Sequence, residues 1–182
     1  AERRTHVEKI ERTSRHIVDL TDTAREVVEA LVADGETHLE PVAVEPLLAA
    51  EVEKARESYD HATFTLTDDA GGETVMANEM LSSVFRNVLY NAVLHNDTDE
   101  PEVEVTVVDR DERIVVRVAD NGPGIAPERR ERVFARGERS LDSPGTGMGL
   151  YLVATLVELY GGDVRIEDGD PGAVVVIELP TV

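Results

Sequence analysis

Two asparagines lie one helical turn apart in a segment whose polar residues all share one spacing. Every fourth position from 83 onward carries a polar side chain: Ser83, Asn87, Asn91 and His95. This spacing puts the four side chains on one face of a helix, opposite an apolar stripe. A carboxamide can offer its oxygen to a hard cation and its nitrogen to a phosphate. The face therefore suits a phosphorylated ligand and its cation, although alone it would be an ordinary solvated face.

Asp120 follows an apolar strand pattern and opens the glycine-rich segment 120–125, with the sequence DNGPGI. An aspartate at the end of a strand can accept a hydrogen bond from the amino group of a base. Glycines let the backbone approach a flat ligand closely. The same pattern can be no more than a turn, so both interpretations stand at this point.

A second glycine-rich segment, 145–150 with the sequence GTGMGL, precedes a helical pattern. Amides exposed at a helix N-terminus, together with the helix dipole, favour a phosphate there. The segment is not a Walker A loop, because no Lys and Ser or Thr follow its last glycine. It also follows no strand, which argues against a dinucleotide-binding turn.

The apolar periodicity predicts the elements that must position these motifs. Helices are expected at 5–33, 45–58, 78–95, 127–135 and 147–160, and strands at 39–44, 61–67, 103–108, 113–119, 164–167 and 173–179. Because strands arrive in pairs, they favour hairpins and antiparallel pairing. The expected fold class is α/β (α+β), a two-layer sandwich of a mixed, largely antiparallel sheet with three main helices, and not a Rossmann fold.

The first predicted helix has a heptad pattern of apolar residues. The pattern is formed by Ile10, Ile17, Leu20, Ala24, Val27 and Leu31, and Gly35 follows as a stop signal. Such a seam favours pairing with partner helices. The alternative is an amphipathic helix that packs on its own domain.

Composition narrows the classes of protein. The 182 residues include no cysteine, which excludes disulfide scaffolds and Cys-ligated metals. No apolar run is long enough for a membrane span, and the N-terminus does not look like a signal peptide. A net charge of −20 argues against a nucleic-acid partner. Only Lys9 and Lys54 are lysines among 18 basic residues, and this acidic, lysine-poor surface favours a halophilic protein over an ordinary acidic one.

The three motifs in this order resemble the ATP-binding catalytic domain of sensor histidine kinases. These kinases belong to the GHKL ATPase superfamily and have a Bergerat-type fold. Segment 87–92 is similar to the N box, 120–125 to the G1 box and 145–150 to the G2 box, with Val133 and Phe134 as a shortened F box. The resemblance covers 39–182. It implies a catalytic domain at 37–182, preceded at 1–35 by the second helix of a dimerisation hairpin.

The resemblance assigns a role to each motif residue. Asn91 would coordinate Mg²⁺ on the ATP phosphates, Asn87 would support it, and these two are the candidate catalytic residues. Asp120 would bind the adenine amino group, and 136–146 would be a lid from which Arg139 reaches the γ-phosphate. The full implied ATP-binding set is Asn87, Asn91, His95, Asp120, Gly122, Gly124, Ile125, Arg139, Gly145, Thr146, Gly147, Met148, Gly149 and Leu150.

Some positions depart from the family pattern. Leu94 stands where a Lys or Arg is usual, so a phosphate contact must come from His95 or an arginine. Tyr90 stands where hydrolytic relatives carry a Glu, which favours phosphoryl transfer over hydrolysis. Residues 135–137 replace the usual Pro-Phe of the F box, and Ala173 replaces a Thr that is often near the adenine.

The resemblance also implies partners. The acceptor histidine of the family is followed by an acidic and a basic residue, and neither His6 nor His16 has this context. The acceptor is therefore expected on a helix upstream or supplied in trans. A response-regulator receiver domain, a homodimer in the full protein and a cytoplasmic location are further expectations. The alternatives are a degenerate nucleotide-binding docking module, or a Ser/Thr kinase or ATPase of the same superfamily.

The charge predicts a response to salt. Self-repulsion from a net charge of −20 should oppose folding at low ionic strength, and molar salt screens charges beyond about 3 Å. We expect the melting temperature to rise steeply as KCl is raised toward molar concentration. Calorimetric scans in sucrose of matched osmolality are the control, because sucrose does not screen charge. A melting temperature that KCl leaves unchanged would contradict the halophilic interpretation.

Overall fold

The computed structural model describes residues 38–69, 71–135 and 148–182. The predicted helix at 5–33 and the predicted loop at 137–146 lie outside them. The described strands are β1 (Glu40–Ala43), β2 (Thr63–Asp69), β3 (Thr74–Ala77), β4 (Glu102–Arg110), β5 (Arg113–Asp120), β6 (Asp163–Asp168) and β7 (Ala173–Pro180). The helices are α1 (Val44–Ser58), α2 (Leu81–Leu94), α3 (Pro127–Arg130) and α4 (Gly149–Leu159), with a 3₁₀ turn at Arg132–Phe134.

The main sheet has five strands in the order β2-β4-β5-β7-β6. The β2–β4 pair is parallel, and the other three pairs are antiparallel. Helices α1, α2 and α4 contribute most of the buried residues that cover one face of this sheet. The predicted two-layer class with a mixed, largely antiparallel sheet is therefore confirmed.

A second, two-stranded sheet pairs β1 with β3 in antiparallel register. The sequence analysis did not predict β3, which has only four residues. So short a segment shows little periodicity, and its pairing partner lies more than thirty residues earlier in the chain. Its conformation is therefore set by a non-local ladder.

The α3 region differs from the prediction of one short helix at 127–135. The helix ends at Arg130, and a 3₁₀ turn follows. Val133 and Phe134 lie in this turn and pack against the main core. A tighter turn at the end of a helix is common, and here it carries both apolar side chains of the predicted F box to the core. No helix in the described part of the chain is both long and apolar enough to cross a bilayer.

The outer face of the sheet is closed by charged side chains. Val176 is fully buried, although its register partners on either side are Arg117 and Arg165. Glu167 bridges these arginines at 2.9 and 3.0 Å, and Glu178 lies 2.6 Å from Arg165. Burial acts to raise the pKa of Glu167, but hydrogen bonds from the two arginines lower it below its usual value. Val176 packs with Val115 and Val174 in a small apolar cluster, and the paired arginines flank it in the ladder.

Helices α2 and α4 pack side by side in opposite directions. At one end, the Tyr160 hydroxyl donates to Asn78 Oδ1 at 2.5 Å, and the Met80 amide donates to the same oxygen at 3.0 Å. Burial raises the pKa of Tyr160, so this hydroxyl stays protonated. At the other end, Gly149 reaches the middle of α2 beside Asn87. The pairing thus brings the N-terminus of α4 to the polar face of α2.

Candidate functional site

The polar face of α2 meets the first residue of α4 at very short range. Asn87 Nδ2 donates to the Ser83 carbonyl at 2.8 Å, which leaves Asn87 Oδ1 directed toward Gly149. A Cβ atom at position 149 would lie 2.7 Å from that oxygen and 3.7 Å from Asn91 Nδ2. With any other residue at position 149, the Asn87 carboxamide would have to move away, because real Cβ contacts are longer. The carboxamides and the helix N-terminus therefore form one polar surface.

Asn91 has an unmet hydrogen-bonding requirement. Its Nδ2 is buried and has no hydrogen-bond partner among the described residues. A buried polar group without a partner typically costs about 1–3 kcal/mol, so a native structure keeps one where a ligand, an ion or an ordered water can meet it. Since the oxygen and nitrogen of a carboxamide can exchange places, the group can serve an anion or a cation.

The donor set fits a hard cation held by neutral oxygens. Carboxamide oxygens are suitable ligands for Mg²⁺, which usually takes most of its remaining ligands from phosphate and water. Within the described ranges, no cluster of three or more His, Cys, Asp or Glu residues could hold a metal. Among the described residues, Asn87 and Asn91 are the carboxamides on this surface that could offer oxygens to a cation bound with the ligand.

Asp120 ends β5 with one oxygen engaged and one available. Its Oδ1 accepts from the Gly122 amide at 2.9 Å and, over a longer 3.4 Å, from the Ala173 amide. Its Oδ2 has no hydrogen bond among the described residues. Burial raises the pKa of Asp120, while both amides and His95 act to lower it. The arrangement orients a carboxylate oxygen as an acceptor for an amino group.

His95 follows the last residue of α2 and lies close enough to Asp120 for their charges to interact. Its pKa is lowered, first by desolvation; the Asp120 charge opposes this and the nearby Arg129 adds to it. The neutral imidazole is therefore favoured, even though more than a third of the residue is exposed. The structure thus brings Asp120, His95 and Arg129 to one end of the polar surface.

The turn between β6 and β7 is part of this end of the site, which the sequence analysis missed. Gly172 has a φ of +91°, and a Cβ there would lie 1.8 Å from the Asp120 carbonyl oxygen. Arg130 joins the same turn to the glycine-rich loop: its Nε donates to the Ile125 carbonyl at 3.0 Å, and it forms an ion pair with Asp168. The sequence offered only one sign of this role, a glycine in the turn between two strands. Such glycines are too common to indicate a functional site.

The remaining predicted residues divide into two groups. Gly122 is buried, and Gly124 and Ile125 are half-buried beside Asp120; Met148 and Leu150 are half-buried around Gly149. Four others lie outside the described residues: Arg139, Gly145, Thr146 and Gly147. The structure therefore places the N-box and G1-box residues and only the second half of the G2 box.

Fold and site agree with a known class of nucleotide-binding domain. The family model for histidine kinase-, DNA gyrase B- and HSP90-like ATPases matches residues 76–182. That is more than half of the chain, and the chain belongs to this family.

Individual relatives are sensor histidine kinases. The chain is 36% identical over 107 residues to the sensor histidine kinase DpiB of Escherichia coli, a match that covers 56% of this chain and 19% of DpiB. The mycobacterial sensor histidine kinase MprB superposes with a TM-score of 0.71 at 29% identity, over 79% of this chain and 97% of that structure. Full-length ShkA in complex with AMPPNP superposes with a TM-score of 0.78 at 28% identity, over 100% of this chain and 39% of that one. The chain spans about a fifth to a third of the length of the curated relatives it matches.

The close approach at Gly172 predicts a position-specific cost. Gly172→Ala must relieve a contact with the Asp120 backbone, while Gly72→Ala has a similar φ of +89° and open space around it. The control should lose only the strain of a left-handed alanine, about 1–2 kcal/mol. We expect a clearly larger loss in the free energy of unfolding by urea for Gly172→Ala. Equal losses in the two variants would show that the contact with Asp120 has no energetic weight.

The raised pKa of Asp120 predicts a gain in stability when the charge is removed. A group whose pKa is raised by folding stabilises the protein at low pH and loses that contribution as pH rises through its folded pKa. Asp120→Asn keeps an Oδ1 acceptor for both amides and removes the desolvated charge. We expect a higher melting temperature than the parent at neutral pH, with a gap that closes toward pH of about 4.

Asp109→Asn is the matched control for this test, because Asp109 is exposed on the β4–β5 hairpin and its loss changes the net charge equally. A rise of the same size in both variants at neutral pH would assign the effect to net charge and not to burial at Asp120.

Proposed function

We propose that this chain is the ATP-binding catalytic part of a two-component sensor histidine kinase. It transfers the γ-phosphoryl group of ATP to a histidine on another helix, for relay to a response regulator. The observation that carries the proposal is the unpartnered Asn91 carboxamide beside the N-terminus of α4. Family membership and the ShkA complex with AMPPNP support it.

The proposed ligand lies along the surface from Asp120 to Gly149. Asp120 Oδ2 accepts the adenine amino group, with Gly122, Gly124, Ile125 and His95 around the base. The phosphates lie at the N-terminus of α4, where amides and the helix dipole favour negative charge. Asn91, supported by Asn87, holds Mg²⁺, which would neutralise phosphate charge. Arg139 and the residues Gly145, Thr146 and Gly147 remain predicted contacts to the phosphates.

Phosphoryl transfer depends on positioning of the reactants and neutralisation of phosphate charge more than on covalent catalysis. Position 90, directly before Asn91, holds a tyrosine whose ring centroid lies 6.3 Å from that of Tyr59. A carboxylate at this position could activate water, and a tyrosine packed against another ring does not supply one. This favours transfer to a protein acceptor over hydrolysis of ATP.

The rest of the proposal concerns the whole protein. Residues 1–35 are the second helix of a dimerisation hairpin, residues 37–182 are the kinase domain, and the full protein is a homodimer. The match of ShkA over the whole chain is consistent with this division. A cytoplasmic location follows from the need for ATP, and the charge of −20 suggests concentrated salt. The second candidate, a docking module that binds nucleotide without transfer, is favoured by the apolar Leu94 at a position where a cation is usual.

One experiment separates these functions. The chain is incubated with Mg²⁺ and γ-labelled ATP, with and without a dimerisation domain that carries an acceptor histidine. We expect acid-labile phosphohistidine on the added domain and little or none on the chain itself. Asn91→Ala should abolish both transfer and Mg²⁺-dependent ATP affinity, because it removes the metal ligand.

The outcomes are distinct. Tight ATP binding by calorimetry without transfer to the added domain would support the docking module. Release of inorganic phosphate that does not require the added domain would identify an ATPase. Label on His6 or His16 of this chain would refute the expectation of an external acceptor.

A further inference from the structure

Asn121, the residue after Asp120, extends the β4–β5 ladder by one rung with its side chain. In a regular antiparallel pair, two opposite residues exchange both backbone hydrogen bonds. Here the Asn121 amide donates to the Glu102 carbonyl at 3.2 Å, but the Glu102 amide donates to Asn121 Oδ1 at 2.9 Å. The side-chain oxygen replaces the backbone carbonyl, so the main chain is released from the sheet directly after Asp120.

The same carboxamide reaches the segment that follows α2. Asn96 Nδ2 donates to Asn121 Oδ1 at 2.7 Å, and Asn121 Nδ2 donates to the Glu100 carbonyl at 3.1 Å. Asn96 is itself held, because its Oδ1 accepts from the amide and the hydroxyl of Thr98 at 3.0 and 2.6 Å. One side chain thus joins the end of β5, the start of β4 and the chain leaving α2.

These contacts fix the Asp120 loop against the chain at the C-terminal end of α2. Asp120 directly precedes Asn121, and His95 directly precedes Asn96. The hydrogen bond between Asn96 and Asn121 therefore connects the chain of α2, which carries Asn91, to the carboxylate at the end of β5. Asn121 itself is half-buried, and both polar atoms of its side chain are engaged in hydrogen bonds within the protein.

We propose that Asn121 is a positioning residue that sets the Asp120 carboxylate relative to the C-terminal end of α2, and thereby sets the base selectivity of the nucleotide site. This rests on the proposed function, in which Asp120 binds adenine. Loss of the carboxamide frees the loop, so Asp120 no longer presents Oδ2 at a fixed place. Discrimination between adenine and guanine then falls more than affinity for the shared phosphates does.

The test compares Asn121→Ala with Asn78→Ala in the 182-residue chain. Asn78 is a matched control, because its Oδ1 also accepts two hydrogen bonds and joins two elements, but at the far end of α2. Calorimetry gives the affinities for ATP and GTP, and hydrogen exchange without nucleotide gives the protection of the Glu102 amide. For Asn121→Ala we expect the ATP-to-GTP affinity ratio to fall about tenfold and the Glu102 amide to exchange about tenfold faster.

For Asn78→Ala we expect lower overall stability with an unchanged ratio, because partial unfolding scales both affinities equally. Asn121→Asp serves if the alanine variant does not fold: it keeps acceptors for Glu102 and Asn96 and loses only the donor to Glu100. It should retain the Glu102 protection and most of the ratio.

The outcomes decide separately on the two proposals. The positioning role would be overturned if Asn121→Ala had the same ATP-to-GTP affinity ratio and the same protection of the Glu102 amide as the parent chain. The role would also be overturned if the Glu102 amide lost its protection while the ATP-to-GTP affinity ratio stayed at the parent value, since the hydrogen bonds of Asn121 would then not control base selectivity. If the parent chain binds neither nucleotide, the proposed function is wrong and the selectivity role falls with it. If the parent chain binds ATP and Asn121→Ala keeps the ATP-to-GTP affinity ratio of the parent, the proposed function stands and the role of Asn121 does not.

Discussion

The contact between Gly149 and Asn87 is the constraint on which the rest of the structure depends. A Cβ at position 149 would lie 2.7 Å from Asn87 Oδ1, so a larger residue there would displace the Asn87 carboxamide from its present position. That closeness places a helix N-terminus beside two carboxamides, which is the chemistry of the candidate site. The five-stranded sheet beneath supplies the flat apolar support that holds both helices in this register. Asp120 then lies where β5, the strand next to β4 and β7, leaves the sheet.

Much of this arrangement was predictable because it depends on residues that are close together in the sequence. The alternation in β4 and the apolar runs in β5 and β7 indicate their strands, and the four-residue spacing of Asn87 and Asn91 indicates their common face. Glycine-rich motifs at 120–125 and 145–150 gave the resemblance and hence the family. What escaped prediction is non-local. Strand β3 exists through its pairing with β1, and the roles of Gly172, Arg130 and Asn121 arise from partners 25 to 52 positions away or on another strand, which no periodicity reports.

The outer face of the sheet shows how an acidic protein uses its few cations. Arg117 and Arg165 flank Val176 in the strand ladder and share Glu167 between their charged ends. Partly exposed ion pairs of this kind contribute little individually and weaken in salt. Val176 also packs with Val115 and Val174 in a small apolar cluster, and salt does not screen that contact. This face of the sheet therefore keeps its apolar contribution at ionic strengths where the ion pairs are screened.

The position of the Tyr160–Asn78 hydrogen bond has a mechanical consequence. It fastens α4 to α2 at the end opposite Gly149. An α-helix rises 1.5 Å per residue, so about 16 Å separates the two ends of α4. Between those ends, Leu152, Val153, Leu156 and Val157 are fully buried against the core. The hydrogen bond at Tyr160 and the close approach at Gly149 therefore hold the two ends of a helix whose middle is already packed, so its angle to α2 is set along its whole length.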